Sequence, residues 1–152
     1  MTHLASLRDF IDALEQIGEV QPIYLEVDWN LEIGAITRRS YELRAPAPLF
    51  NVIKGSERGL RVLGAPGGVS ASPALRFARV ALTLGFEPDT PARKIVESLA
   101  GAQSRPGIAA RWLSTGPCKE NVMLGKDIDR LRFAAPFIHA SDGGRYIQTL
   151  CG

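Results

Sequence analysis

Six apolar residues at helical spacing, Leu4, Leu7, Phe10, Ile11, Leu14 and Ile17, run straight into Gly18 and then into EVQPIYLEV. That switch of period constrains the fold more than any other local feature. The first stripe is one face of an amphipathic helix. Gly18 stands where a helix end takes a positive φ. The residues after it read as a strand, with Pro22 pointing to an edge position or a bend. A helix and a strand that each expose one apolar face must bury those faces on other elements, so a layered mixed fold is expected.

The rest of the chain continues the pattern. DWNLEIGAITRRSYELR reads as a second helix, capped by Asp28 or Asn30, with Leu31 and Ala35 facing inward. Gly34 weakens that helix by roughly 1 kcal/mol of propensity. APAPLFNVIKG and GLRVLGAP read as two β segments around SERG, paired as a hairpin or lying side by side in a sheet. Ser72 followed by Pro73 predicts the start of a helix that Gly85 closes, and Thr90 with Pro91 predicts another that Gly101 closes. Residues 102–119 hold several breakers and no clean period, which suits a crossing linker. ENVMLG, DIDRLRF and the closing motif after them read as strands. The expected division is an α/β domain over 1–101, a linker over 102–119, and the start of a mostly β domain over 120–152.

Composition narrows the function classes. The formal net charge of +2 gives no strong pull toward nucleic acid or membrane. No run of about 18 apolar residues is present, so no membrane span is expected. The N-terminus carries acidic residues on an amphipathic pattern, unlike a secretory leader. Cys118 and Cys151 have no second Cys or His at metal-ligand spacing, and two reduced thiols in a cytoplasmic protein are expected.

Few residues suggest chemistry by themselves. His3 sits in the first residues of the chain. His139 lies too close in sequence to Ser141 and Asp142 for a triad, which needs side chains converging from separate segments. GAPGGVSAS precedes a helix but matches neither phosphate-loop spacing, so it reads as a connecting loop rather than an anion cradle. Arg38, Arg39 and Arg44, and then Arg76 and Arg79, read as solvated helix faces with some ion pairs. Asp142-Gly143-Gly144 is a turn signal, since the Asp side chain can bond local backbone and glycine accepts positive φ. A strand after it would alternate Arg145, Ile147 and Thr149 with Tyr146, Gln148 and Leu150. If that strand borders a ligand, Arg145, Thr149 and the glycine amides could meet an anion. An ordinary hairpin is the plainer reading.

Four stretches, LRDFIDALEQIGEV, VDWNLEIGAITRRSYE, APLFNVIKGSERGLRVLGAP and APFIHASDGGRYIQT, resemble in order the N-terminal portion of the UbiD-like, prenylated-FMN-dependent decarboxylases. The resemblance spans roughly residues 6–90 and 121–150, and its last stretch is the most specific. It implies a small mixed-sheet α/β domain (of α+β type) with flanking helices, followed by the first strands of a split β-barrel. It implies reversible, non-oxidative decarboxylation of aromatic or α,β-unsaturated acids, with the modified flavin supplying the hard chemistry.

The same resemblance implies prenylated FMN held with Mn2+ or Mg2+ and K+ in the intact enzyme, a flavin prenyltransferase as cofactor supplier, and a homo-oligomer. The family's metal ligands, catalytic Arg and acid–base Glu pair are expected beyond residue 152. Catalytic and metal-binding residues are therefore expected to be absent from this chain, as is bound cofactor. Thr149 is expected near the flavin ring, with Gly144 shaping its strand and Gln148 and Tyr146 on the opposite face. The chain alone is expected to be an inactive piece of a longer protein. The alternative is a stand-alone scaffolding or regulatory subunit that docks on a full-length decarboxylase.

Overall fold

The computed structural model describes residues 4–102, 104–128 and 133–147. Its first body is a three-stranded mixed sheet with helices on both faces. Helix α1 spans Leu7–Gln16, strand β1 Val20–Ile23, helix α2 Glu32–Leu43, strand β2 Ala47–Phe50, strand β3 Val62–Leu63, helix α3 Ala78–Thr83 and helix α4 Ala92–Ala102.

The sheet order is β1-β2-β3, so β1 is an edge strand, as Pro22 requires. β1 and β2 are parallel, with Val20 opposite Ala47 and Ile23 opposite Phe50. Parallel neighbours need a long crossover, and α2 supplies it. β2 and β3 are antiparallel, with Leu49 opposite Leu63. All four residues of β2 are buried, as befits a central strand covered on both faces.

Two apolar clusters fill the space between layers. Phe10, Leu14 and Leu82 pack α1 and α3 together, with Val20 and Leu63 beneath them. Val27, Ile33, Phe50 and Ile53 form the other cluster, against which Ile23, Ile36 and Val62 pack. Ala134 and Ile138 also join this second cluster. The segment carrying the DGG turn therefore packs back onto the core that β1, α2 and β2 build.

Local chemistry explains most boundaries. Ser6 Oγ accepts from the Asp9 N–H at 3.2 Å, and Asp9 Oδ2 accepts from the Ala5 N–H at 3.0 Å. That reciprocal cap starts α1. Gly18 at φ 72° and Gly85 at φ 76° stand just past α1 and α3, as read from the sequence.

Several sequence expectations are corrected. Neither Asp28 nor Asn30 is the N-cap of α2; Leu31 is, at φ 67°, without a side-chain cap. Its N–H donates to the Phe137 carbonyl at 2.8 Å, so a tertiary hydrogen bond takes a group that a local cap leaves free. Leu31 and Ala35 face outward, and Ile33, Gly34 and Ser40 are the buried positions of α2. α3 starts at Ala78 rather than near Pro73. Ser72 caps nothing there: its N–H donates to Ser70 Oγ at 3.0 Å, and Ser70 N–H donates to the Arg76 carbonyl at 3.0 Å. Residues 70–77 form turns instead. α4 runs through Gly101 to Ala102.

The strands expected over 120–128 are not seen. Short 3₁₀ turns occupy Pro117–Lys119 and Gly125–Asp127. Val122 and Leu124 are largely exposed, and among the described residues no neighbouring strand pairs with this stretch. Residues 145–147 are likewise outside any strand. Cys118 is an exposed free thiol, while Cys151 and His3 lie outside the described residues.

Candidate functional site

The Asp142-Gly143-Gly144 turn is built locally. Asp142 Oδ2 accepts from the His139 N–H at 2.9 Å, and Asp142 N–H donates to the His139 carbonyl at 3.0 Å. The aspartate thus bonds local backbone as its position before two glycines suggested. Gly144 takes φ 156°. The His139 imidazole Nδ1 lies 3.5 Å from Asp142 Oδ2 on an exposed surface. This is a turn contact within four consecutive residues and places no nucleophile beside the ring.

The turn is closed at its neck. Tyr146 N–H donates to the Pro136 carbonyl at 3.2 Å, and Arg145 Nε donates to the Ala135 carbonyl at 2.6 Å. The Arg145 guanidinium lies over the Trp29 ring, 4.1 Å from its centroid. An aromatic face attracts a planar cation in this geometry. Arg145 therefore turns back onto the body, stacked on Trp29 with its Nε on the Ala135 carbonyl.

The turn segment is also docked through backbone. Phe137 N–H donates to the Trp29 carbonyl at 2.9 Å, and a parallel bridge joins Asn30 to Phe137. Gly34 lies directly under Ile138, so close that a Cβ at position 34 would run into the Ile138 carbonyl. Gly34 is therefore a contact point with the turn segment, beyond its cost to helix propensity.

Beside this docking surface sits a small polar group. Asp28 Oδ2 accepts from Lys54 Nζ at 2.8 Å, and Asp28 Oδ1 accepts from the Asn30 N–H at 2.9 Å. The Lys54 hydrogen bond, with the Asn30 N–H behind it, holds the Asp28 carboxyl below its ordinary range. The same bond to Asp28 raises Lys54. Glu32 Oε2 accepts from the Asp28 N–H at 2.7 Å. On the outer face of α2, Arg38 and Arg39 both bind Glu42, each at 3.1 Å. That is the solvated, ion-paired face read from the sequence. Arg39 first and Arg38 second hold the Glu42 carboxyl low.

Arg79 is the exception to that reading. It is 1% exposed and paired with buried Glu19, Nη2 to Oε2 at 2.9 Å. Its Nη1 donates to the Ala65 carbonyl at 3.1 Å, and its Nη2 also donates to the Ala45 carbonyl. Ser70 Oγ donates to Glu19 Oε1 at 2.6 Å. The GAPGG loop thus lends one carbonyl, that of Ala65, to the protein's own buried cation, in keeping with a connecting loop. The signal that could have revealed this was one charge amid Ala78, Ala81 and Leu82 on the inward face of a short helix.

Of the residues expected to bind the flavin, Gly144 lies among the described residues, and Gln148 and Thr149 lie outside them. Among the described residues, no group of three or more His, Cys, Asp or Glu converges. They do not make up a divalent-metal donor set. Among the described residues, no helix is long and apolar enough to cross a membrane. A shallow depression of about 420 Å³ is lined in part by Arg76, Phe77, Asp89 and Pro91, and no turn-segment residue lines it.

The family profile of the 3-octaprenyl-4-hydroxybenzoate carboxy-lyase N-terminal domain matches residues 11–99. The chain belongs to the UbiD carboxy-lyase family. Among curated proteins, this UbiD-family chain is 49% identical to a pyrrole-2-carboxylic acid decarboxylase of Pseudomonas aeruginosa over 142 residues, covering 93% of the chain. It is 36% identical to ferulic acid decarboxylase 1 of Saccharomyces cerevisiae over 146 residues. The UbiD-family chain spans about 29% of the length of each of these relatives.

Solved structures agree. The open form of Sedimentibacter hydroxybenzoicus vanillic acid decarboxylase matches with a TM-score of 0.78 at 27% identity, covering 95% of this chain and 30% of that one. An evolved dimeric form of the UbiD-class enzyme HmfF from Pelotomaculum thermopropionicum, in complex with prFMN, matches with a TM-score of 0.66 at 26% identity. This match covers 92% of this chain and 30% of that one. The small three-stranded mixed sheet with flanking helices is the N-terminal architecture of these UbiD neighbours.

Proposed function

We propose that this chain is the N-terminal part of a prenylated-FMN-dependent decarboxylase of aromatic or α,β-unsaturated carboxylic acids. The observation that carries this reading is the match over 93% of the chain to a pyrrole-2-carboxylic acid decarboxylase at 49% identity. The substrates in the relatives' names, pyrrole-2-carboxylic acid and ferulic acid, each join a carboxyl group to an aromatic or conjugated system. A neighbour with bound prFMN supports the cofactor.

In this reading residues 1–101 are the α/β domain, 102–119 the linker and 120–152 the start of a split-barrel domain. Thr149, Gln148 and Gly144 are the cofactor-binding residues of this reading: Thr149 faces the flavin ring, Gly144 shapes its strand, and Gln148 lines that strand's opposite face. Mn2+ or Mg2+ with K+ would be held by residues outside this chain, in a cytoplasmic homo-oligomer supplied by a flavin prenyltransferase. The described residues contribute scaffold and orientation, and the 152-residue chain alone does not turn over acid.

A chimera tests the reading. The chain replaces the matching N-terminal 29% of the Pseudomonas relative. That chimera is loaded with prenylated FMN and assayed for carbon dioxide from pyrrole-2-carboxylate, ferulate and vanillate. Release by the chimera and none by the chain alone is expected. A chimera that folds and takes up flavin but releases no carbon dioxide from any of them overturns the reading. Carbon dioxide from the isolated chain overturns the claim of inactivity.

A further inference from the structure

The DGG turn is not held by its own neck alone. It is tied to the N-terminal body at three places: the Phe137 backbone on Trp29 and Leu31, the Ile138 carbonyl on Gly34, and the Arg145 guanidinium on the Trp29 ring. The neck bonds from Arg145 to Ala135 and from Tyr146 to Pro136 then transmit that docking to the far end of the turn. The residue that leaves the turn therefore starts from a place set by β1–α2, not by the turn sequence.

We propose that Trp29 and Gly34 are positioning residues for the Asp142–Gly144 turn and its exit at Arg145 and Tyr146, the part of the chain that the function proposed above sets beside the flavin. Trp29 touches no reacting atom in this scheme. It fixes Arg145, and Arg145 fixes the exit of the turn. A flat aromatic face is needed because it accepts a guanidinium while leaving Nε free to donate to Ala135. Gly34 is needed because only a residue without a Cβ lets the Ile138 carbonyl approach the helix.

Hydrogen exchange on the 152-residue chain tests the docking without any flavin. The amides of Phe137, Asp142 and Tyr146 report the turn, since each makes a defined backbone bond there. The amides of β1 and β2 report the body. Trp29 is half-buried and also packs against the Val27, Ile33, Phe50 and Ile53 cluster, and in Trp29→Leu, which keeps an apolar side chain there, the turn amides are expected to exchange about two- to fivefold faster through loss of the cation–π contact. The strand amides stay unchanged, and Trp29→Phe restores most of the protection. Unchanged turn amides in Trp29→Leu overturn the proposal, as does equal loosening of the strands, which would make Trp29 ordinary core. Gly34→Ala is expected to free the turn amides more strongly than Trp29→Leu.

The chimera described above tests the link to the flavin. Trp29→Leu is expected to lower flavin absorbance per protein, with Trp29→Phe recovering it. Full flavin occupancy beside faster turn exchange overturns the flavin-facing part. The exchange result stands whether or not the chimera decarboxylates anything, so the two readings fail separately.

Discussion

Glu19, the residue before β1, and Arg79, in α3, meet across 60 positions of sequence, with Nε and Nη2 of the arginine 3.1 and 2.9 Å from the same carboxylate oxygen. Both side chains are buried, at 8% and 1% exposure. Ser70, Ala65 and Ala45 complete their hydrogen bonds. A buried pair of this kind adds little over an apolar replacement, but removing one partner strands the other.

Arg79→Leu is therefore expected to destabilise the chain by about 3–5 kcal/mol, a large part of the stability of a domain this size. Glu19→Gln should cost less, because the amide oxygen still accepts from Arg79. In a double-mutant cycle read by urea unfolding, Glu19→Gln with Arg79→Leu should lose clearly less than the sum of the single changes. Additive losses would show that the two side chains are not coupled.

Two glycines inside helices should respond with opposite signs. Gly101 in α4 has no atom within 4 Å of where its Cβ would stand. Gly101→Ala should stabilise by up to about 1 kcal/mol through propensity. Gly34→Ala gains the same propensity but drives a methyl into the Ile138 backbone. Overpacking of about 1–3 kcal/mol outweighs that gain, so Gly34→Ala should lower the melting temperature while Gly101→Ala raises it.

The Asp28–Lys54 bridge sets a pH window. The Asp28 carboxyl is held low by Lys54, so its contribution is present above the unfolded carboxylate value of about 3.9 and is lost as pH falls through its folded value. Lys54 is held high by Asp28, so its contribution is present below about 10.4 and is lost as pH rises through its folded value. An NMR titration of the Asp28 carboxyl should show its midpoint move up in Lys54→Met. An unmoved midpoint would remove Lys54 as the cause.

The turn should depend on the Asp142 carboxylate more than on its charge. Asp142→Ala removes the acceptor of the His139 N–H and is expected to cost about 0.5–1.5 kcal/mol locally. Asp142→Asn keeps an acceptor and should retain most of the protection of that amide in hydrogen exchange.

Local chemistry made the N-terminal layers readable in advance. The stripe ending at Ile17, the glycines at 18 and 85, and Pro22 on an edge strand all act within a few residues, and each is where the sequence placed it. So are the β segments around SERG and the ion-paired outer face of α2. The Asp142 side chain on local backbone was legible for the same reason.

Tertiary structure decided what local rules do not reach. The start of α3 moved because Ser70 Oγ bonds buried Glu19 and itself takes the Ser72 N–H, and the Glu19–Arg79 partners lie far apart in the chain. The entry to α2 takes an αL residue because the Leu31 N–H is claimed by Phe137. Gly34 looked like a weak point of a helix until Ile138 was seen resting on it. Side-chain periodicity and capping are set by neighbours in sequence, so α1, the strands of the small sheet and the DGG turn were legible before any tertiary contact. Which buried charge finds its partner, and which backbone comes close enough to require a glycine, depends on segments that meet only when the sheet and its helices have assembled.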